Sequence, residues 1–500
     1  MTEGVGIYFE DHRESRDLGR LALRGGAVSV AMQYGNGVLQ LVAAIVLARL
    51  LAPEDFGLVA IVTVLTSFAP LLIDFGLGDA TVQRSKITRS QVSSLFWLST
   101  GIGLAIAVLV AACSPLIAWI YREPRLEDIA LCTAIMFVLV GVSNQHLALL
   151  RRTMQFTRIA KIQILSTLIG VAIAIAMAIC GYGYWAIVLR PIASSFCVAT
   201  GAWLVCGWVP GFPVFDDEVK SMVRFGLHVV GFAVLYSVAR AVDRILLGLF
   251  YRPDAVGYYQ NAITLYDYSI FAVLSQLHTV GSAALSKLQS NPAALRQKYE
   301  AALSALAFFV MPTAAILSVT AQDLTVILLG EKWRAAGLLL SIIGLRGIFQ
   351  VVEGSQGWLH LSIGRADRWR NWGVVSVVAH FVAVLGGLPF GATGVAVAMV
   401  ITSLLIAVPS ISYAGRPIGI GAALVMRAVG QQLIGAIGTV AGGWWLQTTA
   451  LIHCSTFARM FLSIGFCISI YLIIVVGLFR LTEPIKVAGI IVKDRLWRTR

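Results

Sequence analysis

The feature that most constrains this chain is a succession of long apolar stretches along its 500 residues. About 20 apolar residues suffice for a helix to cross the hydrocarbon core of a bilayer, and the chain accommodates about 14 such stretches. Only 13% of its residues are charged, whereas soluble domains carry about 25%. The sequence therefore predicts an all-α polytopic membrane protein with about 14 transmembrane helices. The predicted spans, numbered 1 to 14 in chain order, lie at 27–48, 56–75, 93–120, 126–150, 159–180, 183–206, 222–250, 255–282, 300–320, 336–360, 372–388, 392–412, 425–447 and 456–479.

Basic residues are divided unevenly between the two sets of loops. If the N-terminus is cytoplasmic, the inner loops and tails hold 27 Lys and Arg residues and the outer loops hold 6. Cytoplasmic loops of membrane proteins carry such an excess. The formal net charge of +13 therefore requires no nucleic-acid partner, and we expect both termini to be cytoplasmic.

Motifs of nucleotide hydrolysis and metal catalysis are missing from the sequence. It contains no GxxxxGK[ST], HExxH or GxSxG pattern, and its seven cysteines lie mostly within apolar stretches and form no CxxC pair. None of the predicted loops is long enough for a separate soluble catalytic domain. We therefore expect a protein that is not an enzyme and that has no cofactor and no metal site.

Segments of the first half of the chain recur in the second half. Residues 50–57, where span 1 ends, match residues 250–257, where span 7 ends, in the positions of a proline, an acidic residue and a glycine. Residues 181–186 likewise resemble residues 391–396. Equivalent spans start on the same side of the membrane, so the repeat is parallel and its axis runs along the membrane normal. We expect two six-helix lobes, spans 1–6 and 7–12, facing each other across a central cavity.

This repeat predicts the organisation of the whole chain, with two further helices at its C-terminal end. The predicted parts are a cytoplasmic N-terminal tail (1–26), an N-lobe (27–206), a cytoplasmic linker (207–221), a C-lobe (222–412), spans 13 and 14 (413–479) and a basic cytoplasmic tail (480–500).

Polar residues recur at helical spacing within several predicted spans. A charged group at the centre of a bilayer costs at least about 2.5 kcal/mol, so such residues are expected to face a cavity. In span 10, Arg346, Gln350 and Glu353 share one helix face. Spans 7 and 1 carry comparable polar stripes. They consist of Tyr236, Arg240, Asp243 and Arg244 in span 7, and of Gln33, Asn36 and Gln40 in span 1.

The charges of these stripes suggest an anion-binding cavity. Arg240 and Arg244 outnumber Asp243, and a guanidinium pair matches the geometry of a phosphate. The alternative is that Arg240 pairs with Asp243, and Arg346 with Glu353, only to neutralise polar residues packed between helices. Both interpretations remain open at this stage. Carboxylates that could couple transport to an ion or a proton are Asp74, Asp243, Asp267 and Glu353. The histidines within the spans, including His380, lack metal-ligand spacing and are expected to be hydrogen-bonded cavity or packing residues.

Short segments along the first two thirds of the chain resemble a known family. The segments are 49–60, 74–77, 83–84, 96–98, 149–152, 181–186 and 329–333. They resemble the polysaccharide transporter branch of the multidrug/oligosaccharidyl-lipid/polysaccharide exporter superfamily, which comprises the Wzx-type flippases of bacterial O-antigen, capsule and exopolysaccharide synthesis. Span 8 departs from the family pattern, because it lacks the usual proline and carries Asp267 at an unusual depth. We therefore expect span 8 to bend less.

The resemblance implies a flippase that moves an undecaprenyl-pyrophosphate-linked oligosaccharide across the bacterial inner membrane by alternating access. A polysaccharide polymerase and a chain-length regulator are the partners it implies. The pyrophosphate is expected on Arg240, Arg244 and Arg346. The glycan is expected against the polar and aromatic residues Gln33, Asn36, Gln40, Tyr236, Gln350 and Glu353.

Two alternatives stay open. A cation-coupled multidrug exporter of the related branch would need buried acidic residues for cationic drugs and a less basic cavity. A scaffold of a polysaccharide synthesis complex would not transport at all, so loss of glycan export on changing a cavity arginine would argue against it.

Overall fold

The computed structural model describes residues 8, 18–74, 76–84, 86–214, 217, 219, 237, 241–271, 285–286, 288–289 and 291–482. Throughout this part of the chain the regular structure is helical. The chain divides into two compact units, Met1–Gly257 and Tyr258–Arg500.

The helices of the first unit are α1 (Leu18–Leu50), α2 (Pro53–Thr66), α3 (Ala69–Asp74), α4 (Leu77–Gln83), α5 (Arg89–Tyr121), α6 (Arg125–Arg152), α7 (Phe156–Ile179), α8 (Trp185–Cys206) and α9 (Val242–Phe250). Helix α10 (Pro253–Tyr266) begins in the first unit, enters the second and continues as a π-helical turn, Asp267–Phe271. The second unit then contains α11 (Pro292–Leu329), α12 (Arg334–Ser362), α13 (Ala366–Gly387), α14 (Gly391–Gly415), α15 (Ala422–Thr449) and α16 (Thr456–Leu472), which ends in a π-helical turn, Ile473–Leu478.

Within the described ranges, eleven helical runs are long and apolar enough to cross a membrane. One of them, Asp367–Ile418, contains both α13 and α14 and so corresponds to two predicted spans. Predicted spans 1–6 and 9–14 each coincide with described helices, which confirms the all-α membrane architecture. Large parts of spans 7 and 8 lie outside the described residues, so the count of fourteen and the predicted lobe boundary stay predictions.

Predicted span 2 is not one continuous helix but three segments, α2, α3 and α4. Pro70 has no N–H with which to bond the carbonyl four residues earlier, at Thr66, where α2 ends. Within the last turn of α2, the Thr66 hydroxyl donates to the carbonyl of Val62 at 2.8 Å. The second break lies at Gly76, whose φ of 66° is accessible to glycine without strain. The break places Asp74 at a helix end.

Helices of the first unit approach each other closely where glycines remove the side chain. A Cβ at Gly103 on α5 would lie 2.6 Å from the Phe137 carbonyl oxygen on α6. Reciprocally, a Cβ at Gly141 would lie 2.7 Å from the Ser99 carbonyl oxygen. Small residues permit such approach between membrane helices, where van der Waals packing replaces hydrophobic association. Helix α8 packs on α6 and α7, and α1 packs on α7.

The second unit is organised around α11, which contacts α12, α15 and α16. Helix α12 in turn packs on α14, and α14 on α13. Predicted spans 13 and 14, now α15 and α16, are therefore anchored on α11. Asp323 of α11 binds Arg459 of α16, whose Nε lies 2.9 Å from both carboxylate oxygens.

Backbone geometry repeats along the chain in the way that a duplication predicts. The turn between α6 and α7 has Met154 at φ 54°, and the turn between α12 and α13 has Gly364 at φ 67°, 210 residues later. Both turns contain a backbone hydrogen bond from residue i to residue i−5. It runs from Gln155 N to Leu150 O at 2.9 Å and from Arg365 N to His360 O at 3.0 Å. The spacing of 210 is also that of the matched segments 181–186 and 391–396.

The matched segments 50–57 and 250–257 are in mutual contact. A Cβ at Gly57 on α2 would lie 1.6 Å from the Pro253 carbonyl oxygen, which begins α10. A Cβ at Gly257 would lie 2.0 Å from the Pro53 carbonyl oxygen, which begins α2. Equivalent residues of the two matched segments therefore exchange equivalent contacts.

Candidate functional site

The polar face of α12 centres on Arg346, which is partly buried in the second unit. Its Nε donates to the Ser403 hydroxyl of α14 at 3.0 Å, and its Nη2 lies 3.5 Å from Nε2 of His380 on α13. Three helices therefore meet at one guanidinium.

Gln350 lies one turn along the same face and is bound by Tyr266. The Tyr266 hydroxyl donates to Oε1 of Gln350. Its ring packs over Gly347, where an added Cβ would lie 3.5 Å from the ring atom Cε2. Tyr266 is the last residue of α10 before the π-helical turn that Asp267 begins. The sequence predicts a straighter span 8 in the absence of a proline, yet the helix changes geometry at Asp267, and π-helical turns are frequent at functional sites.

Glu353 continues the polar face of α12. Its Oε2 is buried and has no hydrogen-bond partner within the described ranges. The neighbouring Gln356 also has a buried, unpartnered Oε1. Beside them, a Cβ added at Gly354 would meet no described atom within 4 Å. Buried carboxylate and amide oxygens normally find a donor, so this part of the face is suited to accept a hydrogen bond from a hydroxyl group.

The predicted stripe of span 7 is described only in part, because Tyr236 and Arg240 lie outside the described residues. Asp243 is buried, with 6% of its surface exposed. It accepts from the backbone N–H of Arg244 at 2.8 Å, and the Nε of Arg244 lies 3.4 Å away. Two arginines, Arg240 and Arg244, lie near this one carboxylate in the sequence, and Arg244 pairs with it in the structure.

The remaining predicted residues belong to the first unit. On α1, Gln33 is exposed, whereas Asn36 and Gln40 are half-buried. The Asn36 Oδ1 is buried and lacks a hydrogen-bond partner in the part of the chain that the structure describes. Asp74 accepts from the Gly78 backbone N–H at 3.3 Å. Among the predicted residues, the described contacts therefore join Asp243 to Arg244 in the first unit. In the second unit they join Gln350 to Tyr266, one helical turn from Arg346.

Sequence reasoning missed Ser403, which holds Arg346. Its only sequence signal is its position next to Thr402 within an apolar span. His380 was expected to be a hydrogen-bonded cavity or packing residue, and it contacts both Arg346 and the Ser376 carbonyl oxygen, 2.8 Å from its Nδ1.

Comparison with known proteins yields one matching family and several relatives. The family described as polysaccharide biosynthesis protein matches residues 46–337. The teichuronic acid biosynthesis protein TuaB of Bacillus subtilis (strain 168) is 29% identical over 314 residues, which cover 61% of this chain and 64% of TuaB, less than two thirds of that relative. The lipopolysaccharide biosynthesis protein WzxC of Escherichia coli (strain K12) is 23% identical over 386 residues, which cover 76% of this chain and 77% of WzxC.

A solved structure shares the fold. Lipid II flippase MurJ in its inward closed conformation superimposes with a TM-score of 0.72 at 14% identity, covering 91% of this chain and 99% of MurJ. At this identity the likeness concerns the fold alone, and it confirms the predicted fold class.

Proposed function

Because this chain belongs to the polysaccharide biosynthesis protein family, we propose that it moves an undecaprenyl-pyrophosphate-linked oligosaccharide across the bacterial inner membrane. The product would be exopolysaccharide, capsule or O-antigen. The observation that carries this proposal is Arg346, a half-buried cation on the polar face of α12 that contacts Ser403 and His380 inside an apolar helical unit. A cation in this setting attracts an anion, and the substrate of such a flippase presents one as its pyrophosphate.

Arg346 is suited to bind the pyrophosphate of the lipid carrier. A guanidinium has five N–H donors in a planar fork, and the contact to Ser403 uses its Nε. In general, such a fork can bind two phosphate oxygens at once. In the first unit, Arg240 and Arg244 are proposed to contribute to the same task.

The glycan would contact the rest of the polar face. Gln350 and Tyr266 carry amide and hydroxyl groups that exchange hydrogen bonds readily with sugar hydroxyls. Gln33, Asn36, Gln40 and Tyr236 are proposed to line the glycan path in the first unit. Glu353 is proposed to couple flipping to proton entry, with Asp74, Asp243 and Asp267 as the other candidate carboxylates.

Flipping would proceed by alternating access, with both termini in the cytoplasm and the polymerase and chain-length regulator as partners. The lipid tail would remain in the bilayer while the head group crosses. An inside-negative potential assists the outward movement of each negative charge by about 2.3 kcal/mol per 100 mV.

The test is transport of the lipid-linked oligosaccharide in proteoliposomes by Arg346 variants. Arg346→Gln should abolish flipping, and Arg346→Lys should restore only part of it, because lysine keeps the charge but loses the fork. Arg334→Gln serves as the matched control, since Arg334 begins the same helix and its side chain is 61% exposed. Wild-type flipping by Arg346→Gln would contradict the proposal.

A further inference from the structure

A pocket of about 680 Å³ opens on the first unit at the turn between α5 and α6. Binding sites for small ligands commonly measure about 300–1,000 Å³. The lining residues come from the last turn of α5, from the connecting turn and from the first turn of α6. They are Ala118, Trp119, Ile120, Arg122, Pro124 and Glu127. We call this site the α5–α6 pocket.

The α5–α6 pocket lies where a helix leaves the membrane. It adjoins the last turn of the crossing run Arg89–Tyr121. The side chain of Trp119 is 76% exposed, and tryptophan is enriched at the boundary between hydrocarbon and head groups. Leu109 and Leu116 are also exposed and share a helix face with Ile120. A lipid whose head group occupies the pocket therefore finds apolar surface along α5 for an acyl chain.

The pocket contains one basic and one acidic side chain. Arg122 is exposed and Glu127 is half-buried. Within the part of the chain that the structure describes, neither side chain forms a hydrogen bond or an ion pair. The neighbouring Arg125 differs, because it is bound to Glu123 and Glu54. The two charges that line the pocket are therefore available to a ligand.

These charges indicate a ligand that carries both signs. Arg122 repels a simple cation. A simple anion would meet more carboxylates than arginines at this end of the unit, which holds Arg122 and Arg125 against Glu54, Glu123, Glu127 and Asp128. A zwitterionic phospholipid suits both lining charges, because its phosphate accepts from a guanidinium and its ammonium group donates to a carboxylate.

We propose that the α5–α6 pocket binds the head group of phosphatidylethanolamine, with the phosphate on Arg122 and the primary ammonium group on Glu127. The site lies outside the polar face of α12, and its ligand is a lipid of the surrounding bilayer rather than the transported one. The inference therefore goes beyond the proposed function and does not depend on it.

The test is lipid binding to the purified full-length protein, measured by native mass spectrometry. Three lipids with the same acyl chains are compared: phosphatidylethanolamine, phosphatidylcholine, whose methylated nitrogen has no N–H, and phosphatidylglycerol, which has no amine. The wild type should bind phosphatidylethanolamine roughly tenfold more tightly than the other two. Glu127→Gln should remove this preference, and Arg122→Gln should weaken the binding of all three lipids.

Two control variants separate the pocket from general effects of charge. Asp128 shares the first turn of α6 with Glu127, where an acidic residue is favourable without any ligand, but it does not line the pocket. Asp128→Asn should therefore keep the preference for phosphatidylethanolamine. Arg334→Gln, which removes an exposed arginine outside the pocket, should bind all three lipids as the wild type does.

The preference between lipids is measured within each variant, so partial loss of folded protein does not imitate the expected result. Equal binding of the three lipids by the wild type overturns the proposal. A preference that persists in Glu127→Gln, or that Asp128→Asn loses as well, overturns it too. None of these measurements involves transport, so their outcome is independent of whether the protein flips a lipid-linked oligosaccharide.

Discussion

Replacing Gly57 with alanine should force apart the first turns of α2 and α10. The new Cβ would lie 1.6 Å from the Pro253 carbonyl oxygen. Ordinary contacts between heavy atoms are about 3.5 Å long, so relief requires a movement of roughly 2 Å. The clash is with backbone, which cannot rotate away as a side chain can. The helices themselves must therefore separate.

Such overpacking costs about 1–3 kcal/mol. A shift of this size lowers the population of the conformation with the contact by roughly 5- to 150-fold. If transport passes through this conformation, flipping slows in proportion. Gly257→Ala should act in the same direction, because its Cβ would lie 2.0 Å from the Pro53 carbonyl oxygen.

The assay is a distance measurement by electron paramagnetic resonance between spin labels at Ala52 and Arg252. Both positions are exposed and directly precede the two helices. Gly57→Ala should move the distance distribution to longer values. Gly101→Ala is the control, because a Cβ there meets no described atom within 4 Å. An unchanged distribution in Gly57→Ala would refute the argument from the glycine contact.

Three further predictions concern coupling, topology and pH. Glu353→Gln should slow flipping and remove its dependence on a proton gradient. The measurement is flipping in proteoliposomes with and without a pH difference, and persistent gradient dependence in the variant excludes Glu353 as the coupling residue. A reporter fused after Arg500 should be active on the cytoplasmic side and one at Lys332 on the periplasmic side, and the opposite signals would contradict the predicted topology. Arg125 donates to Glu123 at 2.7 Å and holds the pKa of that carboxyl below its usual range. Because the pKa of Glu123 is lowered, the ion pair stabilises the fold slightly above the usual carboxyl pKa, and this stabilisation is lost as the pH falls through the lowered pKa. The Tm of Glu123→Gln should therefore lie below that of the wild type at neutral pH and approach it in acid.

Apolar length made most of the membrane helices predictable from sequence. A stretch of about 20 apolar residues has few alternatives to a spanning helix, because backbone groups in a bilayer must bond to one another. The breaks within these helices were harder to predict, because mean hydropathy over a window of about 20 residues does not respond to a single proline or glycine. Span 2 remains apolar through Pro70 and Gly76, although these two residues divide it into three segments. The π-helical turn that begins at Asp267 contains no proline, so no residue in the sequence indicates it.

The candidate site was predictable along a helix but not across helices. Helical spacing alone placed Arg346, Gln350 and Glu353 on one face. The partners of these residues depend on how neighbouring helices pack, and Ser403 is 57 residues from the arginine it holds.

Two arginines of the second unit have different contacts, and we expect their replacement to have different effects on stability. Arg459 is bound to Asp323, whose side chain is 2% exposed. Arg459→Gln leaves that carboxylate buried with only the Gln447 amide at 3.3 Å, so we expect a loss of roughly 3 kcal/mol in the free energy of unfolding.

Asp323→Asn in the same chain should recover much of this loss, because it removes the stranded charge along with its partner. Arg346 contacts the Ser403 hydroxyl and His380, and we expect Arg346→Gln to leave the Tm nearly unchanged while flipping stops. A double Arg459→Gln and Asp323→Asn variant that is less stable than either single variant would contradict this account of the ion pair. A large fall in the Tm of Arg346→Gln would mean that Arg346 serves the fold.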